Sequence, residues 1–257
     1  MHDAISILTP DQWVIAVIGA LIAGLVKGVV GFALPMVMIS ILGSVVSPEL
    51  ALAGLILPTL VTNGQQALRQ GVSAAWRSIV KFRVFMFTAL IVLLISAQLI
   101  RVIPNALFLG AIGVMVIGFS LLQLSGRRIP VKKESRISHA AIGALAGFVG
   151  GLSAVWGPPT VAYLTVMDVE KKEHIRTQGV IYGVGALALT FSHLSTGILN
   201  LNTLIYSAIL VPAAILGMRL GRIIQDRIDQ SVFMKATLLV LMIAGVNLIR
   251  RAFFCLA

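Results

Sequence analysis

Apolar runs long enough to cross a bilayer follow one another along nearly the whole chain, at about 12–46, 50–68, 82–100, 105–124, 138–167, 177–198, 203–225 and 231–249. A spanning helix needs about 20 mainly apolar residues. The pattern therefore predicts an all-α integral membrane protein and leaves no stretch for a soluble domain. The composition agrees: 58% of the 257 residues are hydrophobic and 11% are charged, whereas a soluble domain carries roughly 25% charged residues.

Two of the runs, the first and the fifth, are too long for one ordinary span, and both are interrupted. The first contains Gly24, Gly28, Gly31 and Pro35. The fifth contains Gly147, Gly150, Gly151, Gly157, Pro158 and Pro159. Proline removes a helical hydrogen bond and glycine weakens a helix, so each reads as a broken helix or helical hairpin, with Pro35, Pro158 and Pro159 marking the breaks. The two also match in register. Ala23–Gly28 aligns with Ala146–Gly151, Gly31 falls on Ala154 and Pro35 on Pro158, all at an offset of 123 residues. Each is followed by three further apolar runs. This is an internal duplication, with a first repeat at 1–125, a basic loop at 126–137 and a second repeat at 138–257.

The positive charges orient the repeats. If each long segment crosses once, Lys and Arg divide 11 against 8 between the two faces. If each is a hairpin returning to its starting face, 16 lie on one face and three (Arg101, Arg250 and Arg251) on the other, with Lys27 inside the first hairpin. Basic loops stay cytoplasmic, so the hairpin arrangement is preferred. It makes the repeats inverted, puts both termini outside, and gives a multi-pass membrane protein. The net charge of +11 then belongs to topology and the lipid surface, not to nucleic acid.

Inverted repeats with interrupted helices usually bind substrate near the bilayer midplane, where half-helix N-termini offer N–H groups to anions. The expected site lies between the two hairpin tips: Lys27, Gly28 and Gly31 from the first; Gly150, Gly151, Ser153 and Trp156 from the second. Thr59, Thr62, Asn63 and Gln66 share one helical face at i, i+3, i+4 and i+7. Asn63 and Gln66 are expected to reach substrate oxygens; interhelical hydrogen bonding is the other role open to that stripe. The nine carboxylates, from Asp3 to Asp229, all lie in loops or near segment ends, while Lys27 lies well inside an apolar run. A buried lysine costs ~2.5–3.5 kcal/mol on insertion scales, and an anion would offset that cost. Gly217 and Gly221 form a small-xxx-small pair suited to helix packing.

The segment Ala23-Gly24-Leu25-Val26-Lys27-Gly28-Val29-Val30-Gly31-Phe32-Ala33-Leu34-Pro35, echoed by Ala146 to Pro159, resembles the duplicated signature of the TauE/SafE sulfite-exporter-like permeases. The resemblance covers nearly the whole chain. It implies a permease of the inner cell membrane for a sulfur-containing oxyanion, sulfonate or related carboxylate, coupled to a proton or ion gradient. Phe32 and Ala33 stand where the family's motif is richer in glycine, and Trp156 enters the second copy, so the resemblance does not fix the substrate.

A secondary transporter of a small anion is thus the leading expectation, with a passive anion channel as the alternative. No GxxxxGK[ST] motif for ATP is present. The four histidines are scattered and the single cysteine, Cys255, is alone, so neither an enzyme site, a metal site nor a cofactor is expected. A homodimer is left open.

Overall fold

The computed structural model describes residues 7–96, 105–125, 135–153, 157–195 and 197–254. Among these are eleven helices and no strand: α1 (Pro10–Val30), α2 (Leu34–Leu42), α3 (Pro48–Leu68), α4 (Val72–Lys81), α5 (Arg83–Ser96), α6 (Asn105–Leu124), α7 (Arg136–Ser153), α8 (Gly157–Val166), α9 (Lys171–Ser195), α10 (Leu201–Arg227) and α11 (Gln230–Phe254). Three of them, α1, α10 and α11, are single helices long and apolar enough to cross a membrane; α4 and α5 qualify only as a pair, bent by 75°. Both α3 and α9 are less apolar, because α3 carries Asn63, Gln65 and Gln66 and α9 starts on Lys171-Lys172-Glu173-His174. The chain divides into two compact units, residues 1–75 with 175–229, and 76–174 with 230–257.

In the first unit, local sequence sets the helix ends. Thr9 and Gln12 form a reciprocal capping box at the start of α1, where Pro10 occupies a position that needs no N–H. Gly31 ends the helix at φ 88°, its N–H donating to Lys27 O at 2.7 Å. Ala33 is also left-handed, at φ 75°, and α2 begins with Pro35 in its first turn. The segment then returns on itself. Gln12 Nε2 donates to Val45 O at 2.8 Å, and a Cβ added at Gly19 would sit 2.8 Å from the Ile41 side chain. Residues 10–46 thus enter and leave at the same end.

Helices α1, α3 and α10 run parallel. Near their N-termini, Trp13 meets Tyr206 edge-on with ring centroids 5.5 Å apart. Further along, a Cβ on Gly24 would fall 2.2 Å from Ala214 O and one on Gly28 2.8 Å from Gly221 Cα, while Gly217 and Gly221 rest equally tightly on Leu21 O and Leu25 O. Such an approach is open only to glycine. Pro58 inside α3 leaves Gly54 O without its helical donor. Ser207 repairs the gap: its hydroxyl donates to Gly54 O at 3.2 Å and accepts from Leu57 N at 3.1 Å. Helix α9 runs antiparallel to α3, with Gly179 against Gln66 and Ala67 and Arg176 bonded to Gln70.

In the second unit, α7 and α5 run parallel. Gly143 rests on Phe85 O and Gly147 on Ala89 O, at 2.6 and 2.2 Å from an added Cβ. Tyr163 of α8 stacks on Phe85 with centroids 4.2 Å apart and planes at 4°, and its hydroxyl bonds His139 Nδ1 in the first turn of α7. Helix α8 therefore also turns back toward the start of α7. Helices α6 and α11 cross closely at Gly113 and Gly245, and Lys81 pairs with Glu173 at 2.8 Å.

One helix was not anticipated. Residues 69–83, read from the sequence as a basic loop, contain α4, which carries the chain from the first unit into the second. Its apolar Val72, Trp76 and Val80 are spaced by four residues and exposed, while Ala75 and Ser78 are buried. The interspersed Arg77 and Lys81 lower its hydropathy, although they are compatible with a helix whose two faces differ.

Candidate functional site

The break between α1 and α2 brings polar groups together inside the first unit. Lys27, in the last turn of α1, is 2% exposed and donates through Nζ to Asn63 Oδ1 on α3. One turn further along α3, Gln66 Nε2 donates to Gly31 O at 2.9 Å and to Ile175 O of α9 at 2.7 Å. The carbonyl freed at the end of α1 is thus held by a side chain, as backbone at membrane depth requires. Gln178 of α9 stands against the same turn: a Cβ at Gly31 would lie 2.0 Å from its Oε1. Gly31 is therefore required twice, by its left-handed backbone and by the packed amide.

The whole polar stripe of α3, Thr59, Thr62, Asn63 and Gln66, is buried. Thr62 donates to Pro58 O of its own helix at 2.6 Å, while Thr59 Oγ1 has no partner within the protein. Of the two roles weighed for the stripe, interhelical bonding is the one seen: Asn63 and Gln66 reach other elements, and Thr62 serves the proline kink.

A narrow cleft opens beside this turn, lined by Lys27, Gly28, Gln66, Ile175, Met218, Arg222, Gln225 and, part-exposed at its mouth, Arg69, with a water-sized space of about 10 Å³ inside. Its charges are three cations. Arg69 is forked onto Asp226 at 2.7 and 2.8 Å and bonded to Gln225 at 2.8 Å. Arg222 donates to the neutral Gln65 Oε1 at 3.2 Å. Asp226, 55% exposed at its side chain, answers Arg69, and no carboxylate lines the cleft. This arrangement suits an anion: three cations line the cleft, and the Asp226 carboxylate beside them is forked onto Arg69.

The turn lies late along the helices that hold it. Gly28 meets Met218 and Gly221 in the last third of α10, and Gly31 lies beside Gln66, near the end of α3. The tip is close to the basic ends of these helices, not halfway along them. The reason is length: α1 runs 21 residues, about 31 Å, before Gly31 stops it.

Of the residues singled out in the sequence, Lys27, Gly28, Gly31, Asn63 and Gln66 come together here, and Pro35 opens α2 beside them. Gly150, Gly151 and Ser153 occupy the last turn of α7, and Pro158 and Pro159 the first turn of α8; these belong to the second unit. Trp156 lies outside the described residues. Arg69, Gln178, Arg222 and Gln225 were missed as site residues. The two arginines had been counted only as topology signals, and Gln178 carries no local signature. Two residues past the α9 basic cluster, it gains meaning only from facing Gly31. Among the described residues no group of His, Cys, Asp or Glu is placed to hold a metal ion.

Comparison with known proteins adds one finding. The family model described as sulfite exporter TauE/SafE matches residues 16–248. No curated protein and no solved structure matches the chain.

Proposed function

The chain belongs to the TauE/SafE sulfite exporter family, and from that membership we propose that it is a secondary transporter of a small anion, bound in the cleft at the tip of the first hairpin. The family makes it a membrane transporter protein. The anion is a sulfur-containing oxyanion, a sulfonate or a related carboxylate. The observation that carries the reading is Lys27: a fully buried lysine with a neutral amide as its partner and Arg222 as a cationic neighbour. Such a cation is costly alone, and a bound anion relieves both the burial and the repulsion.

In this reading Lys27 and Arg222 take the anion's charge, Asn63 fixes the lysine, and Gly28 and Gly31 let the ligand approach the backbone. Gly150, Gly151 and Ser153 are the second repeat's counterparts of the tip. The repeats are inverted, the basic ends of α3 and α10 face the cytoplasm of an inner membrane, and the Arg69–Asp226 pair at the mouth opens and closes the route on that side. A proton or ion gradient drives the cycle. A passive channel is the second reading, favoured only by the open mouth of the cleft.

Flux into proteoliposomes tests this. Labelled sulfite uptake should saturate, exchange with internal unlabelled sulfite and respond to an imposed proton gradient, and Lys27→Met should abolish it. Unsaturable flux carrying current at channel rates would favour the channel. Normal uptake by Lys27→Met would remove the proposed site.

A further inference from the structure

Gln66 holds an acceptor that the protein leaves unanswered. Its Nε2 donates to two backbone carbonyls, Gly31 O and Ile175 O. Only the NH2 end of an amide can do this, so the partners settle which way the group is turned. Oε1 is thereby fixed as an acceptor. It is buried and meets no donor among the described residues, while Gln66 lines the cleft beside Lys27. Its neighbour across the Gly31 turn does not answer it, because Gln178 is itself fully buried with both amide atoms unmet. A buried acceptor without a donor is costly. A fully ionised oxyanion cannot relieve that cost, since it offers acceptors only.

We propose that the cleft selects an anion that also carries a hydrogen-bond donor: a monoprotonated oxyanion, or a sulfonate or carboxylate bearing a hydroxyl or ammonium group. The negative oxygens go to Lys27 and Arg222, and the donor goes to Gln66 Oε1. Gln66 is then a specificity-determining residue. Its two backbone bonds hold the amide still, so the acceptor is presented in one fixed orientation and a ligand lacking the donor leaves it empty-handed. This proposal rests on the anion site described above and narrows its ligand class.

Two sulfonates of the same charge and skeleton decide it: 2-hydroxyethanesulfonate and ethanesulfonate, with sulfite as a third ligand. Each is titrated calorimetrically into the purified full-length protein. The wild type should bind the hydroxylated compound at least about tenfold more tightly than ethanesulfonate. Gln66→Leu should bind the two equally. If that variant does not fold, the wild-type pair decides alone. Equal wild-type affinities, or sulfite bound no less tightly at alkaline pH, where it carries no proton, than at mildly acidic pH, overturn the donor proposal and leave the anion site standing. If none of the three binds, the anion site itself fails, and this proposal with it.

Discussion

In the first unit Gly24 of α1 rides on Ala214 O of α10; in the second, Gly147 of α7 rides on Ala89 O of α5, and in each case an added Cβ would come within 2.2 Å of that oxygen. Gly24 and Gly147 are 123 residues apart and Ala89 and Ala214 are 125 apart, so two glycines at the offset of the matching segments make the same kind of helix contact. The polar residues do not repeat. At the same offset Lys27 becomes Gly150, Asn63 becomes Ala186, Gln66 becomes Leu189 and Thr59 becomes Tyr182. The base of the hairpin differs as well: a glutamine–carbonyl bond closes the first, a Tyr163 ring stacked on Phe85 and bonded to His139 the second. The close glycine contact recurs, while Lys27, Asn63 and Gln66 meet no residue of their own kind at the 123-residue offset.

That asymmetry can be broken most severely at Lys27. Lys27→Met should weaken sulfite binding by about 30-fold or more, since removing one member of a buried charged contact costs ~2–5 kcal/mol; calorimetric titration would show it. A small change at the matching packing site of either copy should instead harm stability. Gly24→Ala and Gly147→Ala each drive a methyl into a carbonyl oxygen and should each cost ~1–3 kcal/mol in unfolding followed in detergent. Equal losses would support the shared packing; a loss in only one would break the equivalence. The proline kink belongs to the first copy alone, because Pro58 corresponds to Ile181 and Ser207 to Val84. Ser207→Ala should cost about 1 kcal/mol by the same assay. The smallest effect is expected at the mouth. Arg69 and Asp226 are 30% and 55% exposed, so Asp226→Asn should change stability by no more than ~0.2–1 kcal/mol while altering the salt dependence of uptake.

What the sequence revealed was what acts over short distances. Gly31 and Pro35 announce the break between α1 and α2 because glycine and proline constrain their own backbone. Asn63 and Gln66 stand out because helical spacing puts them on one face, and Gly217 and Gly221 because packing glycines recur every four residues. The groups that remained hidden act across the fold. Gln178 meets Gly31 from a helix some 140 residues later in the chain, and Arg222 joins Lys27 only because α1 and α10 run parallel, which no local pattern encodes. The depth of the tip depended on where α1 actually stops. Helix α4 was masked by its own charges, which make an amphipathic helix look like a loop when only hydropathy is read.

The central claim is that the anion sits at the first hairpin's tip. Selenite, a heavier oxyanion of the same shape class as sulfite, scatters anomalously and can be located in crystals of the full-length protein. The account predicts an anomalous peak within hydrogen-bonding reach of Lys27 Nζ and the Arg222 guanidinium, lost in Lys27→Met crystals. A peak that persists in that variant, or one held by second-repeat residues around Ser153 with none at Lys27, would contradict it.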